Sequence, residues 1–175
     1  MLTAKEIRDL FIELNDGLQR EGQTGEVGIV GGAVMCLVYN ARAATRAVDA
    51  VFEPSAIIRK LAAQIAASHD LPSDWLNDAV KGYVQGRFAT ETVLDLSHLR
   101  VWAPEPRYML AMKCVSARWD THDRGDVEFL LRKLSLSSPD EVFSIIEHYY
   151  PKKRILKKTQ FLIEELFENQ HGQLR

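Results

Sequence analysis

Apolar positions recur at helical spacing from the start of the chain, where Ile7, Leu10, Phe11, Leu14 and Leu18 share one face. Thr3 followed by Glu6 has the spacing of a capping box, so the chain is expected to open on an amphipathic helix. After the polar, Gly-rich stretch 22–25, the run Val27 to Val30 reads as a short buried strand that leads into Gly31-Gly32 and an apolar helix over 33–39. A second strand is expected over 47–52. It ends at Pro54, which suits the first turn of a helix carrying Ile57, Ile58, Leu61 and Ile65. A turn and a short helix around Trp75, Leu76, Asn77 and Asp78 follow over 71–81, then strands over 92–96 and 99–102. From Pro106 onward the pattern is helical, over 108–118, 123–134, 139–150 and 159–168. Val127, Leu130, Leu131 and Leu134 fit the i, i+3, i+4, i+7 template, and Ser138 with Glu141 forms a second capping box with Pro139 at the first helical position. The expected class is α+β, with a small mixed sheet flanked by helices over 1–105 and a helical C-terminal half over 106–175, the two packed together or forming one single domain.

Composition adds what the chain is not. At 175 residues, 46% hydrophobic and 26% charged, it has the make-up of an ordinary folded domain. Its 22 Lys and Arg against 24 Asp and Glu leave a formal charge of -2, so a polyanion would have to be met by a local patch. Five basic residues lie between Pro151 and Lys158, as a solvated linker or as a contact for an RNA backbone. Cys36 and Cys114 are the two cysteines, both in apolar runs, which disfavours a disulfide framework or a thiolate zinc site and leads to a reducing, cytoplasmic setting as the expectation. The charges among the first twenty residues exclude a secretory apolar core, and no run is apolar enough to span a bilayer, so no membrane is expected as a partner.

Two features carry candidate chemistry. The Gly31-Gly32 pair at a strand-to-helix junction lets backbone approach a ligand closely, as a phosphate cradle or simply as a tight turn with close helix packing. Asp49 lies in the otherwise apolar strand Ala47-Val48-Asp49-Ala50-Val51-Phe52, where a carboxylate is costly to bury without a partner. Positions 47, 49 and 51 of a strand share one face, and two carboxylates so placed can hold paired magnesium ions for in-line phosphoryl or nucleotidyl transfer. Here position 47 is alanine, so half of that device is present.

The stretch Val30-Gly31-Gly32-Ala33-Val34-Met35, followed by 39–52 with Thr45, Arg46, Ala47 and Asp49, resembles the nucleotidyltransferase superfamily signature: a Gly-Gly or Gly-Ser turn, a helix and a strand with Asp-x-Asp. The nearer resemblance is to the bacterial branch of abortive-infection and minimal, MenT-like, nucleotidyltransferase toxins. Residues 74–81, 108–113, Ala117-Arg118 with Asp123 and Asp126, and the tail from Tyr149 look like that branch too. The resemblance implies a nucleotidyltransferase-like fold and transfer of a nucleoside monophosphate from an NTP to an acceptor hydroxyl, on a tRNA 3′ end or a protein. It also implies Mg2+ or Mn2+ as cofactor and a toxin restrained by a cognate antitoxin. Gly31 and Gly32 would cradle phosphates and Thr45, Arg46 and Arg118 would contact the nucleotide. Asp49 would bind metal, and Lys113 would steady the triphosphate.

Ala47 stands where the family carries its first metal-binding Asp. Either the substitution was made to inactivate a toxic enzyme, or the chain is a natural pseudoenzyme that binds a nucleotide or a protein without turnover. Asp95 and Asp126 compete for a third carboxylate. Residues 123 and 126 also suit the start of a helix, with Asp123 as its N-cap. Lys113 can equally snorkel to solvent, and Arg118 can pair with Asp120 or Glu128. Histidine spacing offers no zinc pair, and Trp75, Trp102 and Trp119 read as packing anchors more readily than as base platforms.

Overall fold

The structure is a computed structural model that describes residues 1–116 and 121–172. The chain divides into two compact units, one formed by Met1–Val84 with Ala89–Pro104 and the other by Gln85–Phe88 with Glu105–Arg175. The first is a mixed sheet with helices and the second is helical, so the chain is α+β.

In the sheet unit, strand β1 (Leu2–Thr3) leads into helix α1 (Ala4–Arg20). Thr3 is its N-cap: the Glu6 amide donates to the Thr3 hydroxyl at 3.3 Å, and the Glu6 carboxylate accepts from the Thr3 amide at 2.8 Å. The apolar stripe Ile7, Leu10, Phe11, Leu14 and Leu18 is buried, each such side chain contributing about 1.5–3 kcal/mol. Strand β2 (Gly25–Ile29) and helix α2 (Gly31–Leu37) follow, then strands β3 (Ala44–Thr45) and β4 (Val48–Glu53) and helix α3 (Ser55–Ser68). Against α1, a Cβ on Gly17 would stand 2.9 Å from Leu61 Cδ2, so the glycine lets α1 and α3 approach.

The main sheet has the order β5-β4-β2-β7-β6, with β5 at Leu76–Asn77, β6 at Thr90–Asp95 and β7 at Leu99–Pro104. Strand β2 is central, antiparallel to β4 with Val27 opposite Phe52, and parallel to β7 with Val27 opposite Val101. Val27, Ile29, Val48, Ala50, Leu99, Val101 and Ala103 are buried, whereas Glu26, Glu53 and Arg100 are exposed, as alternation requires of a sheet with one core face. A separate two-stranded sheet pairs β1 with β3, Leu2 opposite Thr45 and Thr3 opposite Ala44.

Three local expectations change. Residues 76–77 form strand β5 rather than part of a helix, parallel to β4 with Leu76 opposite Val48 and Asn77 opposite Asp49; a 3-10 turn, Ala79–Gly82, follows. The short apolar run resembles a helix in periodicity, but its backbone groups find partners on β4. Ala47 lies in a bend one residue ahead of β4. Asp123 is inside helix α5 (Thr121–Lys133), so it is not the cap.

The helical unit contains α4 (Pro106–Ser116), α5, α6 (Pro139–Tyr149) and α7 (Lys157–Gly172). Ser138 and Glu141 make the expected capping box of α6. Buried Tyr108 organises part of this core: Phe88 stacks on it at 3.8 Å, Tyr149 meets it edge-on at 5.1 Å, and the Tyr150 hydroxyl donates to its oxygen at 3.3 Å. The Tyr108 hydroxyl donates to the Gln85 carbonyl and accepts from the Gln85 amide, which joins segment 85–88 to α4. Both cysteines are buried and free, and burial pushes the Cys114 thiol up to about 12. Among the described residues no helix is long and apolar enough to cross a membrane.

On the other face of β2, the Trp102 ring lies 2.2 Å from where a Gly28 Cβ would stand. Gly28→Ala is therefore expected to force the indole away and to lower stability by about 1–3 kcal/mol, measured by urea denaturation alongside near-ultraviolet circular dichroism of the tryptophans.

Candidate functional site

The sheet unit brings four of the sequence-selected residues together where β2 ends. Gly31 has φ +61°, a conformation that favours glycine, and a Cβ there would stand 3.4 Å from Asp49 Oδ2. A Cβ at Gly32 would stand 2.6 Å from Thr45 Oγ1, too close for any side chain without movement. Glycine is thus favoured at 31 by its backbone conformation and required at 32 by the closeness of Thr45. The β1–β3 pairing holds Thr45 in position, and its buried hydroxyl donates to the Ala47 carbonyl at 3.2 Å.

Asp49 is half-buried on β4, with its backbone carbonyl accepting from the Val30 amide at 2.9 Å. Its carboxylate has a defined orientation because the Asn77 side-chain amide donates to Oδ1 at 3.1 Å. Asn77 is itself fixed: its amide also reaches the Asp74 carbonyl at 3.3 Å, and its side-chain oxygen accepts from the Ala79 amide at 3.2 Å. Asp78 points into ion pairs with Arg59 and, at 2.8 Å, Lys81, and the Lys81 hydrogen bond, with the charge of Arg59, holds its carboxyl below the usual range.

Arg42 is the residue that sequence reasoning missed. Its Nη1 lies 3.4 Å from the Gly32 Cβ position, beside Thr45, which puts a half-buried guanidinium at the Gly-Gly turn. Arg46, chosen from the sequence, is exposed. The signal for Arg42 was faint, being one of two arginines in a segment whose course depends on the β1–β3 pairing.

Other selected residues lie elsewhere. Asp95 is exposed on edge strand β6, three strands from β4 and opposite Arg100, so the sheet does not bring it to Asp49. Lys113 and Asp126 belong to the helical unit, where Lys113 Nζ is 2.6 Å from Asp126 and 3.3 Å from Asp123. Arg118, with Ala117, Trp119 and Asp120, falls outside the described residues. Trp75 is a packing anchor, 1% exposed, with its indole N–H donating to the Ala62 carbonyl at 2.9 Å.

Among the described residues no group of three or more His, Cys, Asp or Glu side chains could hold a metal ion. At the turn the donor set is one carboxylate, Asp49, already accepting from Asn77, with a methyl group at position 47. That set does not fit a pair of Mg2+ or Mn2+ ions, each of which wants several oxygen ligands. Beside the turn stand the Arg42 guanidinium and the close backbone approach at Gly31 and Gly32, and a guanidinium is a donor suited to phosphate oxygens. The chain matches no protein-family model, no curated protein and no solved structure, so the functional reading rests on this geometry.

The Lys113–Asp126 pair has its own consequence. Both side chains are at most 10% exposed, and removing Asp126 leaves the buried Lys113 ammonium with its longer, 3.3 Å contact to Asp123. Asp126→Ala is expected to cost about 1.5–3 kcal/mol in urea denaturation, whereas Lys113→Met combined with Asp126→Leu, which leaves the more exposed Asp123 to solvent, recovers most of that loss.

Proposed function

We propose that this chain is a nucleotidyltransferase-type domain that binds an NTP and, with a carboxylate restored at position 47, transfers its nucleoside monophosphate to an acceptor hydroxyl. The observation that carries the reading is the assembly at the end of β2: Gly31, Gly32, Thr45 and Arg42 on one side and the Asn77-clamped Asp49 on the other. In the transfer the acceptor oxygen bonds to the α-phosphorus as the bond to pyrophosphate breaks, and the hydroxyl proton leaves with the departing groups or to solvent. Arg42 orients phosphate oxygens; Asp49, held by Asn77, would with a carboxylate at position 47 hold the metal ion whose charge offsets that of the reacting phosphate. By the sequence resemblance, the acceptor is a tRNA 3′ end or a protein side chain, the metal is Mg2+ or Mn2+, and the setting is a toxin restrained by an antitoxin.

One observation favours a second reading. With a single carboxylate at the turn, the chain as it stands is a nucleotide- or protein-binding module without turnover.

Label incorporation from each α-labelled NTP into a total tRNA pool, in magnesium, separates the two when the chain is compared with its Ala47→Asp variant. Label with the variant and little or none with the parent is the expected result. Absence of label from both tRNA and added protein acceptors, with either protein, would leave the binding module standing and overturn the transferase. The phosphate contact is testable by itself: Arg42→Ala should weaken binding of the NTP about tenfold or more in calorimetry, while Arg46→Ala changes it little.

A further inference from the structure

The sheet face that carries Asp49 has a second feature next to it. Asp49, Val51 and Glu53 alternate onto that face of β4, and in register with Val51 stand Gly28 on β2 and, beyond it, Trp102 on β7. The six-membered ring of Trp102 fills the space over Gly28 and so reaches from β7 across β2 toward β4. There it walls a cavity of about 140 Å³ together with Val51, Phe52, Lys81, Glu26 and Glu53.

We infer that this cavity is a nucleobase subsite, taking the ring of the nucleotide whose phosphates lie at Arg42 and the Gly31-Gly32 turn, with Trp102 as its stacking wall. The inference rests on the nucleotide reading above and adds which end of the ligand goes where. Spacing supports it: Val51 is two residues from Asp49 along one face, about 6.8 Å at strand rise, a gap that a ribose bridges between phosphate and base.

Wall chemistry supports it as well. An indole and a valine suit a flat, uncharged ring, and stacking of this kind tolerates any of the four bases. The Glu26 and Glu53 carboxylates repel phosphate from this end, and the Lys81 ammonium is held by Asp78 at 2.8 Å, so the cavity takes the neutral end of the nucleotide. The indole is already packed over Gly28, so little rotamer freedom remains to be lost when a base arrives.

The test is calorimetric binding of ATP, GTP, CTP, UTP and inorganic triphosphate, in magnesium, to the full chain and to its Ala47→Asp variant. Trp102→Leu should weaken the NTP that binds tightest about tenfold or more and leave inorganic triphosphate unchanged. Because Trp102→Leu leaves a void over Gly28 and can disturb folding, Val51→Phe, which fills the cavity from the opposite wall, is the second variant and should give the same selective loss. NTP affinity unchanged in folded variants, or lost in step with inorganic triphosphate, overturns the base subsite while the nucleotide reading stands. Failure of every NTP to bind either the parent or the Ala47→Asp variant overturns the nucleotide reading and the subsite with it.

Discussion

The register between β2 and β4 is the constraint on which the sheet unit's chemistry depends. With Ile29 opposite Ala50, the next pair outward is Val30 opposite Asp49, joined by a hydrogen bond of 2.9 Å from the Val30 amide. That places the carboxylate beside the point where the chain leaves the sheet and turns through Gly31. A slip of one residue would bring Asp49 onto the core face and Ala50 onto the open one, which the burial of Val48, Ala50 and Phe52 forbids. The same pairing sets Val51 opposite Gly28, so the position of the cavity beside Trp102 follows from one register and not from separate local choices. Hydrophobic patterning thereby positions polar groups that contribute nothing to it themselves.

The parts of this that the sequence displays are those whose cause is local. Capping boxes at Thr3 and Ser138 and the apolar stripes of α1 and of α5, with Val127, Leu130 and Leu131 buried, involve residues at most a few turns apart, and they appear in the structure as expected. Strand β5 does not announce itself, because two residues have no period and their backbone partners are on β4, some 28 positions earlier. Strands β1 and β3 are equally short, and their pairing links residues near 2 and near 45. The isolated charge of Asp49 in an apolar strand was legible as an anomaly. Its partner Asn77 was not, because a side-chain hydrogen bond across a parallel pair leaves no spacing signal. Arg42 and Arg46 differ for the same reason: sequence proximity to Asp49 favours Arg46, but the chain reverses through β3 and turns Arg42 toward Gly32.

Lys113 illustrates how burial redirects a charged side chain. On composition alone a lysine near the end of an apolar helix suggests an ammonium reaching to solvent or to a phosphate. In α4 its neighbours Met109, Leu110, Met112 and Cys114 are buried, and the ammonium is met by two carboxylates from α5. Through these two contacts Lys113 is part of what holds α5 against α4 inside the helical unit. Helix α5 carries Asp123 and Asp126 three residues apart, on one face, which is why a single ammonium can reach both.

Position 47 shows how chemistry and folding can be separable at one residue. Ala47 lies ahead of β4 in a bend, and what fixes its backbone is the Thr45 hydroxyl on its carbonyl, an interaction that does not involve its side chain. Neither the β2–β4 ladder nor the core requires anything of the methyl group. The hydrogen bond that holds the backbone at this position is therefore open to alanine and aspartate alike. The surrounding contacts, Gly32 against Thr45 and Asn77 on Asp49, are made by other backbone and side-chain groups and are likewise independent of that methyl group.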